Sequence, residues 1–160
     1  MDRTETIITD LDRAFGELKR PKDTELLHVD CFDNSDIKPF YGEKHWREIP
    51  DEMIESQNGA LCFFSPQAFR FFLPAYMRYC LRNYVDSQSF SVDATIYALN
   101  PHGSGQKDFM ESKWGLFSSD QLGVVVSFLK FMSEQEEYVD ADAAKSALAN
   151  YWLKDAHKST

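Results

Sequence analysis

At 160 residues, with 43% hydrophobic, 14% aromatic and 27% charged residues, the chain is the size of one domain and too apolar for disorder over most of its length. A formal net charge of −9 and a pI of about 4.8 argue against nucleic acid and anionic membranes as partners and favour a basic protein. Three cysteines, Cys31, Cys62 and Cys80, lack C-x-x-C spacing and make neither a disulfide framework nor a zinc site.

The charged, amphipathic start MDRTETIITD lacks the apolar centre of a secretory signal. No apolar run approaches the ~20 residues of a transmembrane helix. The expected location is the cytoplasm. Residues 2–19 read as a first helix, with Asp2 as cap and Glu5 at capping-box spacing. Ile7, Ile8, Leu11, Ala14, Phe15 and Leu18 make its apolar face. Lys19, Arg20 and Lys22 suit its dipole, and Pro21 stops it.

Residues 23–47 are irregular. The run Leu26–Val29 suits a short strand or a single turn, and Asp30, Asp33 and Asp36 follow it. These aspartates suit either a cation site or a turn that caps backbone amides; there is no D-x-D-x-D-G loop, which excludes an EF-hand. Trp46 reads as a packing anchor, or as an aromatic that serves a partner. A brief helix at 51–57 uses Ile49, Met53 and Ile54, and Asn58-Gly59 ends it. Ala60–Phe64 is expected as an extended, buried lead-in.

The central element spans about 66–84. Ser65 caps it, Pro66 takes the first helical position, and Phe69, Phe72, Leu73, Tyr76, Cys80 and Tyr84 recur at helical spacing. Pro74 inside the pattern predicts a bend. Arg70, Arg78 and Arg82 stand on it with no acidic residue between Ser65 and Tyr84. Guanidinium forks suit carboxylate and phosphate, so the row is a candidate anion site; alternatively the arginines pair with surplus acids and lay their stems over the aromatic stripe. Cys62 and Cys80 sit in apolar runs and are expected as buried free thiols.

Residues 85–118 are the least regular. Residues 90–99 alternate like a strand but also read as a helix capped from Ser91, and a helix agrees better with the rest. A loop follows at Asn100–Gly105, whose glycines make no nucleotide fingerprint. Phe109, Trp114, Leu116 and Phe117 are expected at the core edge. A Ser118/Gln121 capping box opens a helix with Leu122, Val125, Val126, Leu129 and Met132 inward. Glu134, Glu136, Glu137, Asp140 and Asp142 then form an acidic segment, either a solvated connection or a docking surface for a cationic partner. A last helix over 142–153 carries Ala144, Ala147, Leu148, Tyr151 and Trp152, and residues 154–160 are expected to fray.

The expected architecture is therefore mainly α: a single-domain helical bundle over 1–153 around a Pro-kinked central helix, with at most one or two short strands. His28, His45, His102 and His157 show no metal spacing, and no nucleophile, phosphate-loop or zinc motif is present, so no catalytic residue, metal or cofactor is assigned.

The stretch Phe64-Ser-Pro-Gln-Ala-Phe-Arg-Phe-Phe-Leu-Pro-Ala-Tyr76 resembles a motif, F-[ST]-P-x-A-[FW]-[RH]-[FY]-[FY]-L-P-A-[FY], of a family of small uncharacterised bacterial proteins. Trp46 and Ile49-Pro50 ahead of it extend the resemblance over about residues 28–84. The motif marks a core helix and brings no chemistry. In size and charge the chain also looks like the immunity proteins of bacterial toxin systems. That resemblance implies a binding protein that occludes a basic toxin's active site through Asp30, Asp33, Asp36, Trp46 and the acidic segment at 134–142. The alternative is an enzyme or small-anion-binding domain using Arg70, Arg78 and Arg82.

Overall fold

In the computed structural model, residues 2–43, 45–101 and 107–154 are described. His102, His157, most of the loop at 100–105 and the tail from 155 fall outside them. The described residues form seven α-helices: α1 Arg3–Phe15, α2 Asp51–Ser56, α3 Pro66–Asn83, α4 Ser91–Ala98, α5 Lys107–Trp114, α6 Ser119–Met132 and α7 Ala141–Ala147. Among them there is no strand; the one β element is an isolated antiparallel bridge, Leu27 to Phe64. The fold is mainly α, and no described helix is long and apolar enough to cross a membrane.

The caps explain where the helices begin. Asp2 accepts from the Glu5 amide at 3.0 Å and starts α1. Ser65 accepts from the Ala68 amide at 3.2 Å, while its hydroxyl donates to the Glu25 carbonyl at 2.6 Å. One serine thus starts α3 and ties it to the chain 40 residues earlier. In α6, Ser118 and Gln121 exchange both capping-box bonds, and the Gln121 amide reaches on to the Ala14 carbonyl at 3.0 Å.

α3 is the centre. It touches α1, α2, α4, α5 and the single turns at 46–48 and 60–62. Its buried set includes Phe69, Phe71, Phe72, Leu73, Ala75, Tyr76, Met77, Tyr79, Cys80 and Leu81, so it is enclosed on nearly every side rather than along the one stripe its spacing suggested. Pro74 leaves the Arg70 carbonyl without its usual donor, yet the helix continues to Asn83. Phe64 stacks on Phe72 with ring centroids 5.0 Å apart, and Phe40 meets both rings. Three buried polar tips find partners: Tyr76 donates to the Gln57 carbonyl at 2.6 Å, Trp46 to the Phe15 carbonyl at 3.2 Å and Trp152 to the Leu99 carbonyl at 2.7 Å, whereas the Trp114 indole N–H finds none among the described residues.

Several expectations need correcting. α1 stops at Phe15, capped at Gly16, and does not reach Lys19. Arg20 instead turns inward and donates to Asp23 and to the Pro21 and Phe40 carbonyls. Ala60–Cys62 is a 3₁₀ turn, not an extended lead-in; it buries Ala60 and Leu61 and leaves Cys62 exposed. Residues 91–98 are helical, as the preferred reading expected, but Phe90 and not Ser91 takes the cap position, and the Ser91 hydroxyl donates to the Ile54 carbonyl. α5 is a further helix in what read as irregular chain, and Leu116 is exposed while Trp114 and Phe117 are buried. The last helix starts at Ala141 on its Asp140 cap, and Leu148–Trp152 continues it as a wider π turn that buries the neighbours Tyr151 and Trp152 together.

Candidate functional site

The acidic residues fall into two exposed regions. In the first, the chain leaves the bridge at Leu27 and forms a loop from Val29 to Asp36. Its apolar residues point outward: Val29 is 90% exposed and Phe32 is 99% exposed. Asp30 and Asp33 flank Phe32 and are exposed, whereas Asp36 is half-buried beside Gly59. Asp33 accepts from the Ser35 amide at 2.9 Å, which holds its carboxyl below the usual range. Backbone capping therefore accounts for Asp33, as the turn reading expected. Among the described residues no three His, Cys, Asp or Glu side chains converge on a metal position.

The second acidic region joins α6 to α7. Glu134 pairs with Arg3, and Glu136 with Lys145 at 3.3 Å. Asp140 is committed to structure: it caps α7 and accepts from the Tyr97 hydroxyl at 2.7 Å, which pushes that phenol up to about 12. Glu137 and Asp142 are exposed and carry no ion pair among the described residues, and Tyr138 beside Glu137 is about half exposed.

Trp46 does not belong to either exposed surface. It is 1% exposed, so the partner-facing role is corrected to that of a wall. Its ring carries two guanidinium groups, Arg47 at 5.6 Å and Arg78 at 5.4 Å from the centroid.

The arginines of α3 separate. Arg70 donates to the Leu116 carbonyl at 3.0 Å and lines a shallow recess with Lys19, Arg20, Glu25 and Gln67. Arg78 and Arg82 line a different cavity of about 330 Å³ between α1, α3 and the turn at 46–48, with Arg47 and Asp12. Arg47 joins them from a distant part of the chain, a grouping with no local signal in the sequence. Three features hold it there. Asp12 pairs with its guanidinium, His45 accepts from its backbone amide at 3.1 Å, and Gly16 leaves open the space its guanidinium fills. Arg78 is half-buried and donates at 3.5 and 3.4 Å to the Trp46 and Ile49 carbonyls. Burial, with Arg82 next to it, pulls its pKa down.

The sequence reading passed over a buried cation. Lys113 on α5 is 0% exposed and donates to the Leu61 and Cys62 carbonyls at 3.2 and 2.8 Å. It closes the end of the 60–62 turn, where orphan carbonyls collect. Its ammonium stands 4.5 Å from the Phe109 ring centroid, and His28 packs on the same ring at 4.3 Å. Burial pulls the lysine down to about 8. His28 accepts from the Asp30 amide through Nδ1, and burial followed by the charge of Lys113 holds it below its ordinary value. The signal in the sequence was a lysine at an otherwise apolar position, one residue before Trp114.

No curated protein and no solved structure matches this chain. A family model does match, over residues 3–156, which takes in every described helix and both acidic regions. The chain belongs to the family of unknown function DUF6714.

Proposed function

We propose that this protein binds a basic protein partner through the Val29–Asp36 loop, and that it acts in the cytoplasm as an immunity protein against a bacterial toxin. The observation that carries the reading is Phe32, 99% exposed between the exposed carboxylates of Asp30 and Asp33. α3 and its neighbours fill the interior without Phe32, and together with Val29, which is 90% exposed, Phe32 puts two apolar side chains into water on one loop. An aromatic anchor ringed by carboxylates fits a partner that offers an apolar socket with Lys or Arg at its rim. The net charge of −9 speeds encounter with such a surface. A basic nuclease has both features, and Asp30 and Asp33 would stand where its substrate phosphates bind. Glu137, Tyr138 and Asp142 supply a second contact of the same chemistry.

The test compares wild type with Phe32→Ala and with the double charge reversal Asp30→Lys, Asp33→Lys. Each is used to capture partners at low and high salt, and the captured protein is then co-expressed with each variant. The reading expects a basic protein that arrests growth alone, is neutralised by wild type and escapes both variants. A captured protein that is acidic, harmless when expressed alone, or neutralised equally by all three chains overturns it.

A further inference from the structure

The cavity between α1, α3 and the 46–48 turn carries a second inference, independent of the acidic loop. Three guanidinium groups, from Arg47, Arg78 and Arg82, line it against a single carboxylate, Asp12. In a chain with 17 basic and 26 acidic residues, such a local surplus of positive charge runs against the average. It is not neutralised inside the fold: Asp12 pairs with Arg47, and among the described residues neither Arg78 nor Arg82 has an ion pair. Asp51 acts on Arg78 only through its field and accepts from the Asn83 side chain. Arg78 is withdrawn from water and held only by long bonds to two carbonyls, with its face on Trp46. A guanidinium has five N–H donors, and the two long carbonyl bonds engage only one of the Arg78 nitrogens, so donors are left for a further acceptor.

We infer that this cavity is a binding site for the phosphoryl group of a small metabolite. Two guanidinium groups in excess of one carboxylate match the charge of a phosphoryl dianion, and their N–H forks match its tetrahedral acceptors. A monocarboxylate would balance only one of them. The remaining volume, walled by Ile8 and Leu11, leaves room for a body beyond the phosphate. Asp12 occupies the place of a resident competitor: it holds Arg47 until an anion draws that guanidinium away. Arg70, the third arginine of α3, lines another recess and takes no part.

The test titrates the full chain with inorganic phosphate, pyrophosphate and AMP at fixed ionic strength, by calorimetry and by phosphorus NMR line width, with acetate as the monocarboxylate control. Saturable binding of at least one phosphoryl probe is expected, with acetate at least tenfold weaker. The inorganic and AMP arms separate a free phosphate site from a phosphate-ester site. Arg82→Ala, at an exposed position, should fold as wild type and bind at least fivefold more weakly; Arg78→Ala should lose more. Asp12→Asn should bind several-fold tighter, and Arg70→Ala should match wild type. No saturable binding up to 10 mM of any phosphoryl probe, acetate binding as well as phosphate, or equal binding by wild type and Arg82→Ala overturns the assignment.

Discussion

Two buried bases make stability depend on pH in opposite ranges. Lys113 holds its proton to about 10.5 in the unfolded chain but only to about 8 in the fold. Between those values the unfolded state binds more protons, so stability rises with pH, by on the order of 3 kcal/mol if the whole difference is realised. Neutral Lys113 still has N–H groups for the Leu61 and Cys62 carbonyls. Buried thiols and phenols, among them Cys80 at about 12, pull the other way above about pH 9. The clean reading is therefore the difference between wild type and Lys113→Met in urea titrations from pH 7 to 10. Wild type should gain on the variant steadily above pH 8; a constant difference would show that the amine is not desolvated. His28 works at the acid end. Its folded pKa lies below 6.5, so protons favour the unfolded chain as pH falls below that value. His28→Gln should flatten the stability curve between pH 5 and 6.5, measured by thermal melts.

At the scale of the elements, two positions join pieces distant in sequence. Ser65 serves both the α3 cap and the Glu25 carbonyl. Ser65→Ala should lower stability by about 1–2 kcal/mol, the upper part of the ~0.5–2 kcal/mol range for a lost N-cap, and a denaturant midpoint will show it. A loss no larger than the ~1 kcal/mol of an ordinary cap deletion would mean that the Glu25 bond contributes nothing. Gly16 has no room for a side chain, because Cβ would meet the Arg47 guanidinium and the Asp12 carbonyl. Gly16→Ala should displace Arg47 and weaken the arginine cavity's hold on anions while α3 keeps its packing. Helix starts were legible in the sequence at Asp2, Ser65 and Ser118 because a cap is decided within four residues. α5 was not, because Lys113 breaks the apolar spacing of Phe109, Met110 and Trp114 and its burial depends on carbonyls some 50 residues away. Cys62 misled for a related reason: a 3₁₀ turn rotates it outward, where an extended chain would have buried it.

For the molecule as a whole, surface and interior divide the work. Phe32→Ser should leave the melting temperature within about 1–2 °C of wild type, since exposed substitutions stay near ±0.5 kcal/mol. Partner capture should fail in the same variant, and a large drop in melting temperature would show that the loop packs after all. The all-helical class and the central place of α3 could be read from the chain, because aromatic residues at helical spacing leave few other arrangements. The candidate sites could be read only in part. Asp30 and Asp33 stood out as charges, but nothing local said that Phe32 faces water, and Arg78 and Arg82 gave no hint of Arg47. α3 itself imposes a constraint on biosynthesis. Its sheath is drawn from both sides of it: α1 and the 46–48 turn come before, α4 and α5 after. A ribosome therefore releases the greasy rod while half of its cover is still untranslated, and any fragment ending near residue 90 should collect trigger-factor-like chaperones or precipitate, whereas the finished polypeptide should not.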